Sequence, residues 1–357
     1  MGMDAEHTQS KYPKTLVDAV RYFADPEVTL AFFVRIRWPH GIFCPRCGGT
    51  DVHFLTKYHR WECKTKHNKR QFTVKVGTIM EDSPLSLDKW AVAFWLEVNA
   101  KNSISSYEVM RALGITQKSA WFMQQRIRLA VQTGSFEKMS GRVEADETFI
   151  GGLARNMHKS KRERVITGTG GAGKTIVMGL LERHTDPKSK EKVIDSLDYN
   201  PKKSEKASRV KATVISDTKK KTLHAEIHNN IEAGSEVFTD ELAGYRGLAP
   251  EFVHGFVNHA EQYVSGHVHT NGIENFWALL KRAIKGTHVS VEPFHLFRYL
   301  EAECFRFNNR KMTDGQRLVA AMGGMDGKRL TDKALTGALE DHPSSDGNGA
   351  GGANVLK

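Results

Sequence analysis

The sequence has no apolar run approaching the 18 or more residues that a membrane-spanning helix needs, and this argues against a membrane protein. The opening MGMDAEHTQSKYPK lacks an apolar segment behind its charges, so no secretory signal is expected and the chain is assigned to the cytoplasm. Cysteine is scarce: Cys44, Cys47, Cys63 and Cys304 are the only four in 357 residues. In a chain without an export signal so few cysteines argue against a disulfide framework, and the clustering of three of them argues for metal. No internal repeat of fixed period is present, which excludes a solenoid. Acidic residues fall short of basic ones, 41 against 52, leaving a formal net charge of +11.

What is present fits a soluble globular protein of two or three domains, with 39% hydrophobic residues. Lys and Arg concentrate in 156–222, as KSKRER, PKKSEK and DTKKK. Such clusters neutralise phosphates and release counterions, which gives sequence-independent DNA affinity. The plainer reading is a basic surface that only confers solubility. Residues 14–36 read as one or two short helices interrupted at Pro26. Residues 37–80 are turn-rich and carry the cysteines, and 85–131 return to helical periodicity with Leu87, Trp90, Ala91, Phe94 and Trp95 on one face. From about 142 the pattern is strands and loops (RVEADETFI, TIVMGLLER, KATVISD, SEVFTDE, EFVHGFV), followed by helices at 271–285 and 293–308. The tail after 335 is Gly-, Ser- and Asp-rich and reads as disordered.

Cys44-Pro45-Arg46-Cys47-Gly48-Gly49 is a knuckle that presents two thiolates to one tetrahedral ion, with glycines that let backbone amides face the sulfurs. A second pair is expected about sixteen residues on, where Cys63 and His67 form C-x-x-x-H. The expectation is a closed, structural Cys3His zinc site, with His59 and His53 as competitors for the fourth position. If Cys63 is only a buried core residue, there is no metal.

Residues 105–121 read as two helices around a turn. Ser105 and Glu108 have capping-box spacing, Gly114 makes the turn, and Thr116 caps a second helix running to about 130. That helix is expected to expose Gln117, Lys118, Ser119, Gln124, Gln125, Arg126 and Arg128 to phosphates and base edges in a major groove. A helical hairpin with no DNA role is the alternative.

Two-metal phosphoryl transfer needs carboxylates converging on a pair of ions. Asp146 lies inside the strand RVEADETFI, and Asp240 ends the strand SEVFTDE. Glu274 lies near the start of a helix whose packing stripe is Ile273, Phe276, Trp277, Leu280 and Ile284. Lys281, seven residues after Glu274, shares its face to within about 20°, so a carboxylate for metal and an ammonium for phosphate would line one groove. Asp217, after the strand KATVIS, competes with Asp240. A Walker-like string, Gly168 to Thr175, fits G-x-x-x-x-G-K-[ST]. Its upstream segment is too basic for a buried strand, and the downstream TIVMGLLER is better as a strand than a helix, so it reads as a hairpin loop rather than a nucleotide cradle.

Taken in order, C-P-R-C-G, EDSPLSLDKW, GITQKSAWFMQQRIR, EADETFIGG, VFTDELAGYRGL, HTNGIENFWALLKR and FRFNNR resemble the bacterial insertion-sequence transposases with a zinc ribbon and a DDE-type RNase H-like core, and more narrowly the IS-fifteen-ninety-five (ISXO-two-like) family. The resemblance runs from about Trp38 to Arg310. It implies an α/β fold, an RNase H-like mixed-sheet core preceded by a zinc ribbon and a helix-turn-helix-like segment. The implied divisions are an N-terminal helical segment at 1–36, the ribbon at 37–80, the helical segment at 81–138, the core at 140–315 and an extension at 316–357. It also implies Asp146, Asp240 and Glu274 as ligands of two Mg2+ or Mn2+ ions, with Asn271 as the alternative third residue and Lys281 on the DNA backbone. The partners implied are the element's terminal repeats and target DNA, bound by at least a dimer in the nucleoid. His67 departs from the family's usual fourth cysteine. A zinc-ribbon regulator with an inactive core is the rival reading, and an ATP-driven remodeller using Lys174 is a second.

Overall fold

The computed structural model describes residues 12–132, 137–152, 159–160, 163, 173–183, 207–240, 243–248, 251–257 and 269–337. Two short helices open it, α1 (Leu16–Tyr22) and α2 (Pro26–Arg37). Thr15 and Asp18 form a capping box on α1, and Asp25 caps α2 with Pro26 in its first turn, where a missing N–H costs nothing. Pro26 therefore starts the second helix. A three-stranded antiparallel ribbon follows, β1 (Val52–Leu55), β2 (Arg60–Cys63) and β3 (Gln71–Phe72).

Three helices come next: α3 (Leu87–Asn99), α4 (Ser106–Leu113) and α5 (Gln117–Val131). The Ser105/Glu108 capping box, a left-handed Gly114 at φ 59° and the Thr116 cap all form as the sequence predicts. Helices α1 to α3, the ribbon and α5 share one apolar core, in which Phe23, Phe32, Trp38, Trp61, Phe72, Trp90 and Phe94 are buried together. Leu318 and Met322 of a later helix, α9 (Asp314–Gly323), enter the same core. The expected extension at 316–357 thus begins as an element of the N-terminal body, and its part beyond 337 lies outside the described residues.

The second body is a five-stranded mixed sheet in the order β6-β5-β4-β7-β8. Its strands are β4 (Arg142–Ile150), β5 (Thr175–Glu182), β6 (Arg209–Ile215), β7 (Glu236–Asp240) and β8 (Val253–Val257). β4, β5 and β6 run antiparallel in sequence, whereas β7 and β8 add in parallel on the other side of β4. One face packs on α6 (Lys220–Asn230) through Val143, Ala145, Met178, Leu180, Leu223 and Ile227. The other packs on α7 (Asn271–Arg282) and α8 (Pro293–Asn308) through Val177, Leu181, Ile273, Phe276, Leu280, Leu300 and Phe307. The alternation of Val177 and Leu181 with Met178 and Leu180 is the period of two expected of a strand buried on both faces. A π-helical turn, Ala283–His288, ends α7, and a short α10 (Asp332–Thr336) closes the described chain. This is the mixed α/β core of RNase H-like form.

Gly179 sets how closely α7 approaches the sheet. A Cβ there would lie 2.5 Å from the Trp277 ring and 2.7 Å from Ile273, so only a residue without one admits the helix at this depth. Gly179 pairs across the sheet with Asp146. Trp277 is thereby seated beside the first predicted carboxylate.

Candidate active site and zinc centre

Strand alternation gives β4 two chemistries. Val143 and Ala145 face the α6 core, so Glu144 and Asp146 face α7. β4 and β7 pair in parallel from Arg142↔Glu236 to Glu144↔Phe238. Carried two residues on, that register sets Asp146 level with Asp240 on the next strand, where adjacent strands lie about 4.8 Å apart. The recorded pairing ends at Glu144↔Phe238, just short of them.

Glu274 stands in the first turn of α7 and accepts from the Thr270 hydroxyl at 3.2 Å. Trp277, one turn on, donates its indole N–H to Asp146 Oδ2 at 2.9 Å, and the Glu147 amide donates to Oδ1 at 2.8 Å. Burial, with the negative charges of Asp240 and Glu274, pushes the Asp146 carboxyl up to about 6 against those two hydrogen bonds. Asp240 and Glu274 thus both act electrostatically on Asp146. The oxygens of the three do not close into a single group within 4.8 Å, the spacing reached by the zinc cluster described below. A pair of ions about 3.5–4 Å apart needs no tighter set, because ligands on its opposite sides are separated by the pair itself. A partly buried carboxylate raised by burial and by two neighbouring acids suits a divalent cation. Asn271 is exposed at the first position of α7, and Lys281 is half-buried two turns beyond Glu274.

Asp217 does not join this group through any of its described contacts. It accepts from the Lys219 amide at 3.0 Å and from the Thr222 hydroxyl at 2.7 Å at the start of α6, and these bonds hold its carboxyl below the usual range. Sequence reading passed over three neighbours of the site. Glu144 is buried and ion-paired with Arg183 at 2.6 Å. Glu147, on the other face, accepts from the Tyr245 hydroxyl, and burial pushes it up to about 8. Trp277 was assigned to packing alone. The alternation EADET signalled that Glu144 shares the Asp146 face, but nothing local announced its partner 39 residues away.

The zinc cluster forms as expected. The ligand atoms of Cys44, Cys47, Cys63 and His67 all lie within 4.8 Å of one another. His67 Nε2 is 3.5 Å from Cys44 Sγ, Cys47 Sγ is 3.6 Å from Cys63 Sγ, and His67 Nδ1 meets the Asn68 carbonyl at 2.7 Å, which aims Nε2 at the sulfurs. Desolvation works against the Cys63 thiolate, yet hydrogen bonds from His67 and Thr65 bring that thiol down to about 7. A Cβ on Gly49 would lie 2.9 Å from Thr65 Oγ1 and 3.3 Å from Cys47 Sγ, so the second knuckle glycine is a packing requirement. His59 turns away to Glu27 at 3.3 Å, which leaves His67 as the fourth ligand of the cluster. This donor set suits a closed structural zinc site.

The recognition-helix expectation needs correction. Lys118 is exposed and Gln117 and Ser119 are half-buried, but Gln124, Gln125, Arg126 and Arg128 are buried. Gln124 donates to Glu97 and to the Ile104 carbonyl, and Gln125 meets the Tyr299 hydroxyl at 3.2 Å. Arg126 donates to the Leu330 and Glu81 carbonyls, and Arg128 pairs with the fully buried Glu97 at 2.8 Å. The sequence predicts a DNA-facing surface for the polar side chains of the last two turns. They are instead interior hydrogen-bonding groups, because α3, α8 and the chain near Leu330 cover that part of α5. For the Walker-like string, the expected strand after the lysine is found: Thr175 opens β5 where a nucleotide cradle needs a helix, and residues 168–172 lie outside the described residues. No helix among the described residues is long and apolar enough to cross a membrane.

An RNase H-like mixed sheet joined to a ribbon with a Cys3His cluster is the arrangement of the DDE transposase class. Comparison with known proteins agrees: residues 138–308 match the ISXO2-like transposase domain and residues 25–65 the transposase zinc-ribbon domain. The chain belongs to the ISXO2-like insertion-sequence transposases. It is also 26% identical over 295 residues to a Halobacterium salinarum protein described as an uncharacterized protein in transposable element ISH50, covering 79% of this chain and 91% of that one. No solved structure matches it. The zinc-ribbon match begins at 25 and so takes in α2 together with the knuckle.

Proposed function

We propose that this protein binds the terminal inverted repeats of its own insertion sequence, cleaves their 3′ ends and joins them to target DNA. The observation that carries the reading is the coupling of Asp240 and Glu274 to a raised Asp146. Asp146, Asp240 and Glu274 would hold two Mg2+ or Mn2+ ions, with Asn271 as the alternative to Glu274. Such a pair, when bound, activates the attacking oxygen and neutralises the leaving one. Water attacks the phosphodiester at the element's 3′ end, breaking the P–O3′ bond and freeing a 3′-hydroxyl. That hydroxyl then attacks a target phosphodiester in line and displaces a second 3′-oxygen.

In this reading Trp277 orients the Asp146 carboxylate and Lys281 holds a backbone phosphate. Lys118, with Gln117 and Ser119 at the start of α5, contacts end DNA, as does the zinc ribbon. Joining two ends in one event calls for at least a dimer on DNA, working in the cytoplasm on the nucleoid. The test is joining of labelled element ends to a plasmid with Mg2+ or Mn2+. Asp146→Asn, Asp240→Asn and Glu274→Gln should each abolish joining and leave end binding intact, and Asn271→Ala should retain it. If Asp146→Asn leaves every activity unchanged, the chain is a DNA-binding regulator with an inactive core.

A further inference from the structure

Arg183, the residue after β5, touches β4, β7 and the turn leading into α7. Its Nε donates to Glu144 Oε1 at 2.6 Å. Its terminal nitrogen donates to His269 Nδ1 at 2.8 Å and to the His269 carbonyl, at the approach to α7. Its guanidinium carbon lies 4.7 Å over the Phe238 ring on β7. Glu144 completes the set, because its Oε2 accepts the Ile273 amide at 2.8 Å in the first turn of α7.

The positions along the chain are the informative part. Glu144 lies two residues before Asp146 on the same face of β4, and Phe238 lies two before Asp240 on β7. Ile273 immediately precedes Glu274. These side-chain contacts therefore fall one or two residues from a predicted metal ligand, or on the turn leading to one. Glu144 is 1% and Arg183 14% exposed, so both charges are largely desolvated. A buried ion pair is a poor way to add stability, since desolvation offsets much of the attraction, but it does impose one geometry on whatever it joins. The planar fork of arginine is suited to this, because it holds a carboxylate, a carbonyl and an aromatic face at once.

We infer that Arg183, acting with Glu144, is a positioning residue that sets the spacing of the three carboxylates for divalent-cation binding. The inference rests on the catalytic reading above and adds residues outside the set Asp146, Asp240 and Glu274. Neither residue reaches DNA or metal in this scheme. Their effect passes through β4, β7 and the start of α7.

The test uses the full-length protein with Arg183→Lys and with the double variant Glu144→Gln/Arg183→Gln. The first keeps a cation beside Glu144 but loses the fork and the stacking, and the second removes both charges while roughly keeping shape. For each, Mn2+ binding is followed by electron paramagnetic resonance, alongside the Mn2+ concentration that half-saturates end cleavage, end-DNA affinity and melting temperature. Loss of such outer partners weakens metal binding by about 10–100-fold. The expected result is a rise of that order in the half-saturating Mn2+, with DNA affinity unchanged and cleavage recovering in excess Mn2+. Wild-type Mn2+ dependence in either folded variant overturns the inference, as does a loss that excess Mn2+ does not recover. Asp146→Asn serves as the control: if it keeps Mn2+ binding and cleavage, the catalytic reading itself has failed, separately from the positioning role of Arg183 and Glu144.

Discussion

The indole N–H of Trp277 on α7 donates to Asp146 Oδ2 on β4 at 2.9 Å, joining the helix that carries the third acid to the strand that carries the first. Glu274 lies three residues before Trp277, one helical turn away. The contact exists because Gly179, opposite Asp146 on β5, leaves room for the ring. A glycine, a tryptophan and an aspartate on three elements thereby fix where one carboxylate sits and how far its charge is tolerated.

Trp277→Phe keeps most of the ring and removes the donor. The hydrogen bond lowers the Asp146 pKa, so without it the carboxyl should rise above about 6. End cleavage should fall by about 10–100-fold, with the acid limb of its pH profile moved to higher pH. Stability should drop by about 1–3 kcal/mol for the orphaned carboxylate. A pH–rate series on the purified variant checks this, and an unmoved acid limb would count against the contact.

Two adjacent acids should respond differently to loss of charge. Burial raises Asp146 to about 6 and Glu147 to about 8, so the folded protein holds both protons more tightly than the unfolded chain does. The stability these groups contribute is complete below their unfolded values near 4 and is lost as pH rises, first through 6 for Asp146 and then through 8 for Glu147. At neutral pH Asp146 is mostly ionised and unfavourably placed without a cation, whereas Glu147 is still protonated beside Tyr245. Asp146→Asn should therefore stabilise the protein without added Mg2+ by on the order of 1–3 kcal/mol at pH 7 while abolishing cleavage. Glu147→Gln mimics the protonated acid and should leave both near wild type. Thermal melts across pH, with and without Mg2+, read the first effect. An inactive Glu147→Gln protein would show that the assignment of the two acids is wrong.

What could be read in advance was whatever local spacing fixes. The C-P-x-C-G knuckle, the Ser105/Glu108 capping box and the β4 alternation each depend on residues a few positions apart, and each formed as expected. The failures were matters of what covers what. Gln124, Gln125, Arg126 and Arg128 look like a recognition face until Glu97, Tyr299 and the Leu330 carbonyl, brought from up to 204 residues away, take up their hydrogen bonds. Glu144 and Arg183 escaped for the same reason. A buried ion pair has no sequence period, and only the sheet register puts its members side by side.

The zinc centre offers a clean discrimination among histidines. His67 is oriented at the sulfurs by the Asn68 carbonyl, whereas His59 pairs with Glu27. His67→Cys should retain one zinc per chain, His67→Ala should lose most of it, and His59→Ala should change nothing. Cys44 and Cys63 are buried in the same apolar core as Trp61 and Phe72, so metal loss should also loosen α2 and α3. Elemental analysis of the purified variants, paired with melting temperatures, reads both effects. Zinc retained in full by His67→Ala would reassign the fourth ligand.

The two ends of α5 separate DNA contact from folding. Lys118 is exposed in its first turn, so Lys118→Ala should weaken end binding and reduce the salt slope by about 1, with stability within about 0.5 kcal/mol of wild type. Arg128 is 1% exposed, pairs with Glu97 at 2.8 Å and stacks 3.9 Å over Tyr299. Arg128→Ala strands a buried carboxylate whose remaining cation, Arg306, reaches only the Glu97 carbonyl by hydrogen bond. Breaking one side of such a pair costs about 3–5 kcal/mol. Melting temperature should therefore fall sharply for Arg128→Ala and hardly at all for Lys118→Ala, while binding measured well below both transitions should show the reverse order. If Arg128→Ala melts like wild type and fails to bind, the late turns of α5 do face DNA and their burial here is not the state that meets it.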